Sequence, residues 1–157
     1  MFIDMNLEKM LNKIEFVKFG VYDIVIPERH GAEQEGQWRE TEEYYKRLLQ
    51  ELTLSKISMG VGAIGLALEN AFIRGNENLS YKIVSVKIFE GIKGRIVRIR
   101  DSGEGFDYRK KIRELECCER YFVNIGNGLE ALRHSKWLCS YEMDGSILNI
   151  CILNEKR

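Results

Sequence analysis

Residues 101–106 read DSGEGF and directly follow IVRIR at 96–100, which lies in a strand predicted over 95–100. Successive side chains of a strand point to opposite faces, so Val97 and Ile99 share one face. Asp101 follows the same alternation as Val97 and Ile99, so its carboxylate should point to the face of the sheet that is covered. A carboxylate that turns inward needs hydrogen-bond donors, which a ligand amino group can supply. The alternative is an ordinary turn with an exposed aspartate.

Two glycines, Gly103 and Gly105, follow this aspartate. Because they have no side chain, they would let the backbone come close to a planar base. The charged segment after them, 107–121, is predicted to be helical. Its basic residues could touch a phosphate or form a solvated helix face: Arg109, Lys110, Lys111, Arg113 and Arg120.

A second segment, NAFIRGN at 70–76, ends a helix predicted over 55–76. Asn70 and Arg74 are four residues apart and therefore share a face of that helix. The amide oxygen of an asparagine can coordinate magnesium, and a nearby arginine can neutralise phosphate. The alternative is a pair of solvated polar side chains.

A third segment, GNGL at 126–129, opens a helix predicted over 129–135. Backbone N–H groups at a helix start have no partner within the helix and can bind phosphate. Gly126 and Gly128 remove side-chain bulk at that point. A turn or a helix cap is the alternative explanation of these glycines.

The rest of the chain shows no domain boundary and no internal repeat. Pro27 is the only proline and ends a strand predicted over 16–26, and a polar loop at 28–36 follows. Asp144-Gly145 between apolar runs is a strong signal for a closing hairpin. After the first strand we predict helices at 37–52 and 55–76, strands at 83–89 and 95–100, helices at 107–121 and 129–135, and strands at 137–143 and 146–153.

Helices grouped apart from hairpin-connected strands predict an α+β fold. We expect a two-layer sandwich whose mixed, largely antiparallel sheet carries its helices on one face. Residues 1–157 form a single domain, with 1–14 as a short helical extension. We interpret that extension as an edge helix covering the core, with a dimer contact as the alternative. Its apolar residues recur at helical spacing: Ile3, Leu7, Met10, Leu11 and Ile14.

Composition argues against several functions. Lys plus Arg number 24 and Asp plus Glu number 24, so the basic excess typical of nucleic-acid binding is missing. The longest uncharged apolar run, 57–68, is shorter than the roughly 20 residues of a membrane span. Asp4 and Glu8 interrupt the N-terminus where a signal peptide would be apolar. Four cysteines without CxxC spacing are typical of buried, reduced thiols in a cytoplasmic protein.

Together, the three segments resemble motifs of the GHKL, or histidine-kinase-like, ATPase family. DSGEGF resembles the DxGxGF adenine box, NAFIRGN resembles the N-box NAxxHGN, and GNGL resembles the GxGL phosphate box. The resemblance covers roughly residues 16–153, and the interval between Phe106 and Gly126 resembles a compact ATP lid. In size and order of motifs the chain is most similar to bacterial anti-sigma-factor serine kinases. The resemblance implies the histidine-kinase-like ATPase fold.

The resemblance also implies ATP and Mg²⁺ as cofactors. Asn70 would coordinate the magnesium ion, and Asp101 would accept a hydrogen bond from the adenine amino group. Four glycines would contact the nucleotide, the first two at the base and the last two at the phosphates: Gly103, Gly105, Gly126 and Gly128.

Two positions depart from the family pattern. Leu66 stands four residues before Asn70, where the anti-sigma-factor kinases carry a glutamate as general base. Glu69 lies about 100° around the helix from Asn70 and cannot project from the same place. Loss of a general base typically costs roughly 10²- to 10⁴-fold in rate. Arg74 replaces the N-box histidine. The sequence therefore supports nucleotide binding more strongly than phosphoryl transfer.

The resemblance implies an ATP-binding regulatory protein of the anti-sigma-factor kinase type. Its partner would be a sigma factor or an antagonist protein, which it could hold or phosphorylate on serine. Such a protein could form a homodimer and would not bind nucleic acid or membrane directly. One alternative is a nucleotide-dependent interaction module without chemistry, which Leu66 favours. Another is a detached histidine-kinase-like catalytic domain.

Overall fold

The structure, a computed structural model, describes residues 1–25, 61–71, 75, 83–117 and 127–155. Some predictions lie outside these residues: the loop at 28–36, the helix at 37–52, residues 55–60, 72–74 and 76 of the helix at 55–76, and residues 118–121 of the helix at 107–121. Arg74, Arg120 and Gly126 are among the residues outside the described ranges. Within the described ranges, the predicted strands and the other predicted helices are present with small shifts at their ends. The extension predicted to be helical over 1–14 is helical only at Leu7–Ile14, because residues 1–3 pair with the backbone of Cys139 instead.

Five strands form one sheet: β1 (Phe16–Val25), β2 (Ile83–Gly91), β3 (Gly94–Arg100), β4 (Leu138–Glu142) and β5 (Ile147–Leu153). Their spatial order is β1-β2-β3-β5-β4, and every neighbouring pair is antiparallel. Within the described ranges, the isolated bridge that joins Phe2 to Cys139 is parallel. The five strands are therefore antiparallel rather than mixed, and the α+β class is confirmed.

Four helices are described: α1 (Leu7–Ile14), α2 (Val61–Asn70), α3 (Tyr108–Glu116) and α4 (Asn127–His134). Side-chain caps fix two of their starts. The Asn6 side chain accepts a hydrogen bond from the Lys9 backbone N–H at 3.0 Å. The Asp107 carboxylate accepts one from the Lys110 backbone N–H at 2.9 Å and so begins α3 directly after the DSGEGF loop.

The main core lies between one face of the sheet and helices α2 and α4, which pack against each other. In β2 the residues of this face alternate with exposed or half-buried ones, as a period of two requires. The face is lined by aliphatic side chains from the strands and by the apolar stripe of α2: Ile64, Leu68, Val84, Val86, Val97, Ile99, Leu148 and Ile150.

Helix α1 covers the opposite face of the sheet. Met10 and Ile14 are fully buried there against Phe89, Ile96 and Cys151. The prediction that the helices lie on one face is therefore wrong for α1. The physical reason is that β2, β3 and β5 carry apolar residues on both faces, and the second set needs its own cover. Because α1 buries its apolar side against its own sheet, that side is occupied within the chain.

A polar network on this second face ties α1 to the sheet. Glu142 forms an ion pair with Arg98 at 2.9 Å and accepts a hydrogen bond from the Leu7 backbone N–H at 3.0 Å. The buried Asn149 side chain accepts from Arg98 at 2.9 Å and donates to Glu142 at 3.2 Å. Glu142 therefore pairs with the half-buried guanidinium of Arg98 and also accepts the hydrogen bond of a backbone N–H at the start of α1.

We expect Glu142→Ala to lower the free energy of unfolding by about 2 kcal/mol, because Arg98 and the start of α1 both lose their acceptor. A matched control is Glu90→Ala, which breaks more exposed pairs with Lys18 and Arg95 at 3.2 and 3.4 Å. That control should cost less than about 1 kcal/mol. Urea denaturation measures both, and equal losses would contradict the role given to Glu142.

The described cysteines differ in environment. Cys139 and Cys151 are buried free thiols, as expected, whereas Cys117 is exposed. Burial raises the pKa of Cys151 from 9.0 to about 11 and that of Cys139 to about 12. Both thiols ionise more easily in the unfolded chain, so their contribution to stability is lost as pH rises above about 9.

In a Cys118→Ser background, we expect a thiol reagent at neutral pH to modify Cys117 within minutes. Cys139 and Cys151 should react only after unfolding, because the thiolate is the reactive form and burial disfavours it. Mass spectrometry of the labelled protein identifies the modified positions. Rapid labelling of Cys139 in the folded protein would show that the core is not packed as described.

Candidate functional site

Asp101 lies at the end of β3, on the side of the sheet that α2 covers. Its backbone N–H donates to the Ser146 carbonyl at 3.1 Å, which places it beside the start of β5. One carboxylate oxygen accepts from the Gly103 N–H at 2.8 Å and forms a tight turn. The carboxyl group lies against Gly75, just beyond α2. This is the orientation that strand alternation predicts.

The contact with Gly75 brings the first two sequence segments together. A Cβ atom on Gly75 would overlap the Asp101 carboxyl group, and a Cβ atom on Gly103 would overlap the Gly75 carbonyl. Glycine is therefore required at both positions by close approach of the two segments. Gly75 of the NAFIRGN segment therefore lies directly against the DSGEGF loop, although the two belong to different elements.

A second close contact joins the DSGEGF loop to the turn between β4 and β5. Gly105 has φ +81°, and a Cβ atom there would overlap the Asp144 carbonyl. Gly145 has φ +97°, and a Cβ atom on it would lie 2.6 Å from the Phe106 carbonyl oxygen. The Phe106 N–H donates to the Asp144 carbonyl at 2.8 Å. The loop and the turn therefore interlock through their backbones.

This interlock changes the hairpin from its predicted form. In place of a two-residue Asp144-Gly145 turn, the chain makes a 3₁₀ turn over Met143–Gly145. Met143 and Asp144 have φ values of 50° and 53°. The wider turn presents the Asp144 carbonyl to Phe106. A Cβ atom on Gly105 would meet this Asp144 carbonyl, and a Cβ atom on Gly103 would meet the Gly75 carbonyl, so both glycines adjoin backbone of the protein itself.

Two of the remaining predicted site residues, Asn70 and Gly128, lie within the described ranges. Asn70 is the last residue of α2 and is half-buried, and beyond it Ala71 and Gly75 have a π-helical backbone conformation. Such wider turns occur frequently at functional sites. Gly128 lies in the first turn of α4, which packs against α2.

Helix α3 occupies the place predicted for the lid. Arg109, Lys110 and Arg113 are exposed on it, and the Arg109 guanidinium lies 4.8 Å from the Tyr108 ring centroid. Lys111 forms an ion pair with Glu114 at 3.5 Å. Exposed cations beside the DSGEGF loop are available to an anionic ligand.

Sequence analysis missed one residue of this site, Tyr141. It lies on β4 and packs against the rings of Phe106 and Tyr108. Burial raises the pKa of its phenol above the usual value, with smaller contributions from Cys139 and Asp101. The phenol therefore stays neutral at physiological pH. Only the alternation of β4 could have signalled that this ring faces the site.

The donor set can be tested against ATP and magnesium. In the described ranges, no three or more His, Cys, Asp and Glu side chains come together as a metal site. Magnesium in nucleotide sites is commonly held by one or two protein oxygens together with the phosphates, so a single amide oxygen from Asn70 fits this use. Asp101 offers a carboxylate at the end of a strand, on the covered face of the sheet, and a carboxylate can accept a hydrogen bond from the adenine amino group.

Comparisons with protein-family models and with curated proteins found no match to this chain. Within the ranges that the structure describes, none of the helices has the length and apolar character needed to cross a membrane.

Proposed function

We propose that this protein binds an adenine nucleotide with magnesium and uses the bound state to control a partner protein. The observation that carries the proposal is the contact between the Asp101 carboxyl group and Gly75. It joins a residue of the segment that resembles the adenine box to a residue of the segment that resembles the N-box. Gly75 and Gly103, one from each segment, both lie at this close contact, which supports a shared site.

Each residue has a defined task in this proposal. Asp101 accepts a hydrogen bond from the adenine amino group, while its other interaction with the Gly103 N–H keeps the carboxylate oriented. Asn70 supplies an amide oxygen to magnesium, which neutralises phosphate charge when bound. The N–H groups at the start of α4, around Gly128, bind phosphate. Arg74 and Gly126 would add to the phosphate contacts.

Regulation without phosphoryl transfer is the form of this function that Leu66 favours. The α-helical backbone over Val61–Asn70 places position 66 about one turn before Asn70. A leucine there cannot take a proton from an attacking hydroxyl. The alternative is a serine kinase of the anti-sigma-factor type, with a sigma factor or its antagonist as partner. Incubation with labelled ATP and that partner separates the two, because only the kinase transfers label.

A thermal-shift measurement tests nucleotide binding itself. With magnesium and ATP at 100 times the dissociation constant, we expect about 2.7 kcal/mol of added stability. ADP should stabilise the protein as well, and GTP should not, because its base has a carbonyl where adenine has the amino group. An equal response to ATP and GTP would show that Asp101 does not read the base. No response to any nucleotide would refute the proposed function.

A further inference from the structure

The ring of Tyr141 lies at the centre of an aromatic cluster formed by Phe2, Phe106, Tyr108 and Tyr141. Its centroid is 5.3 Å from that of Phe106, nearly perpendicular to it, and 5.1 Å from that of Tyr108, which is stacked on it. Phe2 stacks on Tyr141 at 5.9 Å. Two separate parts of the chain, residues 1–3 and residues 106–108, therefore meet on one side chain of β4.

Two of the rings that contact Tyr141 belong to residues at the candidate site. Phe106 ends the DSGEGF loop, and Tyr108 is the first residue of α3. The Tyr108 N–H also donates to the Phe106 carbonyl at 2.7 Å, so the two residues are linked through the backbone. Both rings therefore lie where the DSGEGF loop passes into α3.

We propose that Tyr141 is a positioning residue of the candidate nucleotide site, which holds Phe106 and Tyr108 in place and connects them to the segment around Phe2. This inference rests on the proposed function. Tyr141 acts through the loop and through α3. Its role is to fix the distance between the base-reading carboxylate and the exposed cations of α3.

The connection to Phe2 is supported by backbone pairing. The Ile3 N–H donates to the Cys139 carbonyl, and the Cys139 N–H donates to the Met1 carbonyl, both at 2.8 Å. Residues 1–3 are therefore fixed to β4 only two residues from Tyr141. A displacement of this segment would remove one ring from the cluster and loosen the other contacts of Tyr141.

Aromatic pairs contribute about 0.5–1.5 kcal/mol beyond the area that they bury. Tyr141→Leu removes the aromatic contacts with Phe106 and Tyr108, so we expect about tenfold weaker ATP binding. Tyr141→Phe keeps the ring and should retain affinity within about twofold. Phe2→Leu should weaken ATP binding about threefold, since Phe2 contacts Tyr141 and acts on Phe106 and Tyr108 only through that ring.

The matched control is Phe19→Leu. Phe19 lies on β1 at the other edge of the sheet and packs on Phe89 with ring centroids 6.0 Å apart. This variant also removes an aromatic pair, but it has no contact with the cluster. We expect it to bind ATP like the parent, whatever stability it loses.

Hydrogen exchange provides a readout that needs no nucleotide. The Phe106 amide is bonded to the Asp144 carbonyl, so its exchange reports opening of the loop. In Tyr141→Leu this amide should exchange at least about tenfold faster relative to the amides of β2, and in Tyr141→Phe it should not. Isothermal titration of ATP and GTP supplies the affinities.

The outcomes separate the two proposals. If the parent binds no nucleotide, the proposed function fails, and the exchange of Phe106 still decides whether Tyr141 holds the loop. If Tyr141→Leu speeds the hydrogen exchange of the Phe106 amide and of the β2 amides equally, the ring contributes only to global stability and the positioning role is refuted. Unchanged ATP affinity in Tyr141→Leu, or an equal loss in Phe19→Leu, also overturns it.

Discussion

Asp101→Asn is expected to abolish the preference for adenine. A hydrogen bond to a charged group is worth about 1.5–3 kcal/mol, which corresponds to roughly 10- to 100-fold in affinity. Asparagine keeps an oxygen that can accept from the Gly103 N–H, so the loop should be retained. Its amide nitrogen would meet the adenine amino group as a second donor. Isothermal titration with ATP and GTP measures the change.

Asp144→Asn is the matched control for this variant. Asp144 is exposed on the turn that contacts the DSGEGF loop, and it contributes its backbone carbonyl to Phe106. Its φ of 53° is a conformation that asparagine tolerates well. ATP affinity should stay at the parent value. If Asp101→Asn binds ATP as tightly as this control does, the base is not at Asp101.

Gly105→Ala is expected to lower the free energy of unfolding by about 3 kcal/mol. The left-handed backbone at φ +81° costs an L-residue about 1–2 kcal/mol. Overlap of the new Cβ atom with the Asp144 carbonyl adds a similar cost, since that carbonyl belongs to backbone that cannot move freely. For a chain of this length the melting temperature should fall by about 8 °C.

Gly65→Ala makes the same substitution with the opposite expectation. Gly65 lies inside α2, and a Cβ atom there meets no other atom within 4 Å. Alanine should stabilise the helix by about 0.5–1 kcal/mol. Calorimetry of the two variants gives the comparison. A Gly105→Ala protein as stable as Gly65→Ala would mean that the loop and the hairpin turn do not interlock.

Much of the fold was predictable from local signals. The strands at 16–25, 83–91 and 94–100 follow their β-branched content, and Asp144-Gly145 correctly marks the final hairpin. The position of α1 was not predictable in the same way. Phe89 and Ile96 are apolar residues in strands that are apolar on their other face as well. Alternation alone does not indicate that helices cover each of the two faces of the sheet.

The site was predictable to a lesser extent. Alternation along β3 correctly placed Asp101 on the covered side, because that inference needs only neighbouring residues. The reason for the glycines was not accessible, since the atoms closest to Gly103 and Gly105 are the carbonyls of Gly75 and Asp144. The role of Tyr141 depends on contacts among distant segments, which no local pattern reports.

Nucleotide binding at Asp101 is tested most directly by a crystal structure of the protein with magnesium and a non-hydrolysable ATP analogue. We expect the adenine amino nitrogen to lie within hydrogen-bonding distance of the Asp101 carboxylate. We also expect phosphate near the start of α4 and the Asn70 amide oxygen on the metal. A nucleotide bound elsewhere, or an adenine ring that faces away from Asp101, would refute this binding mode.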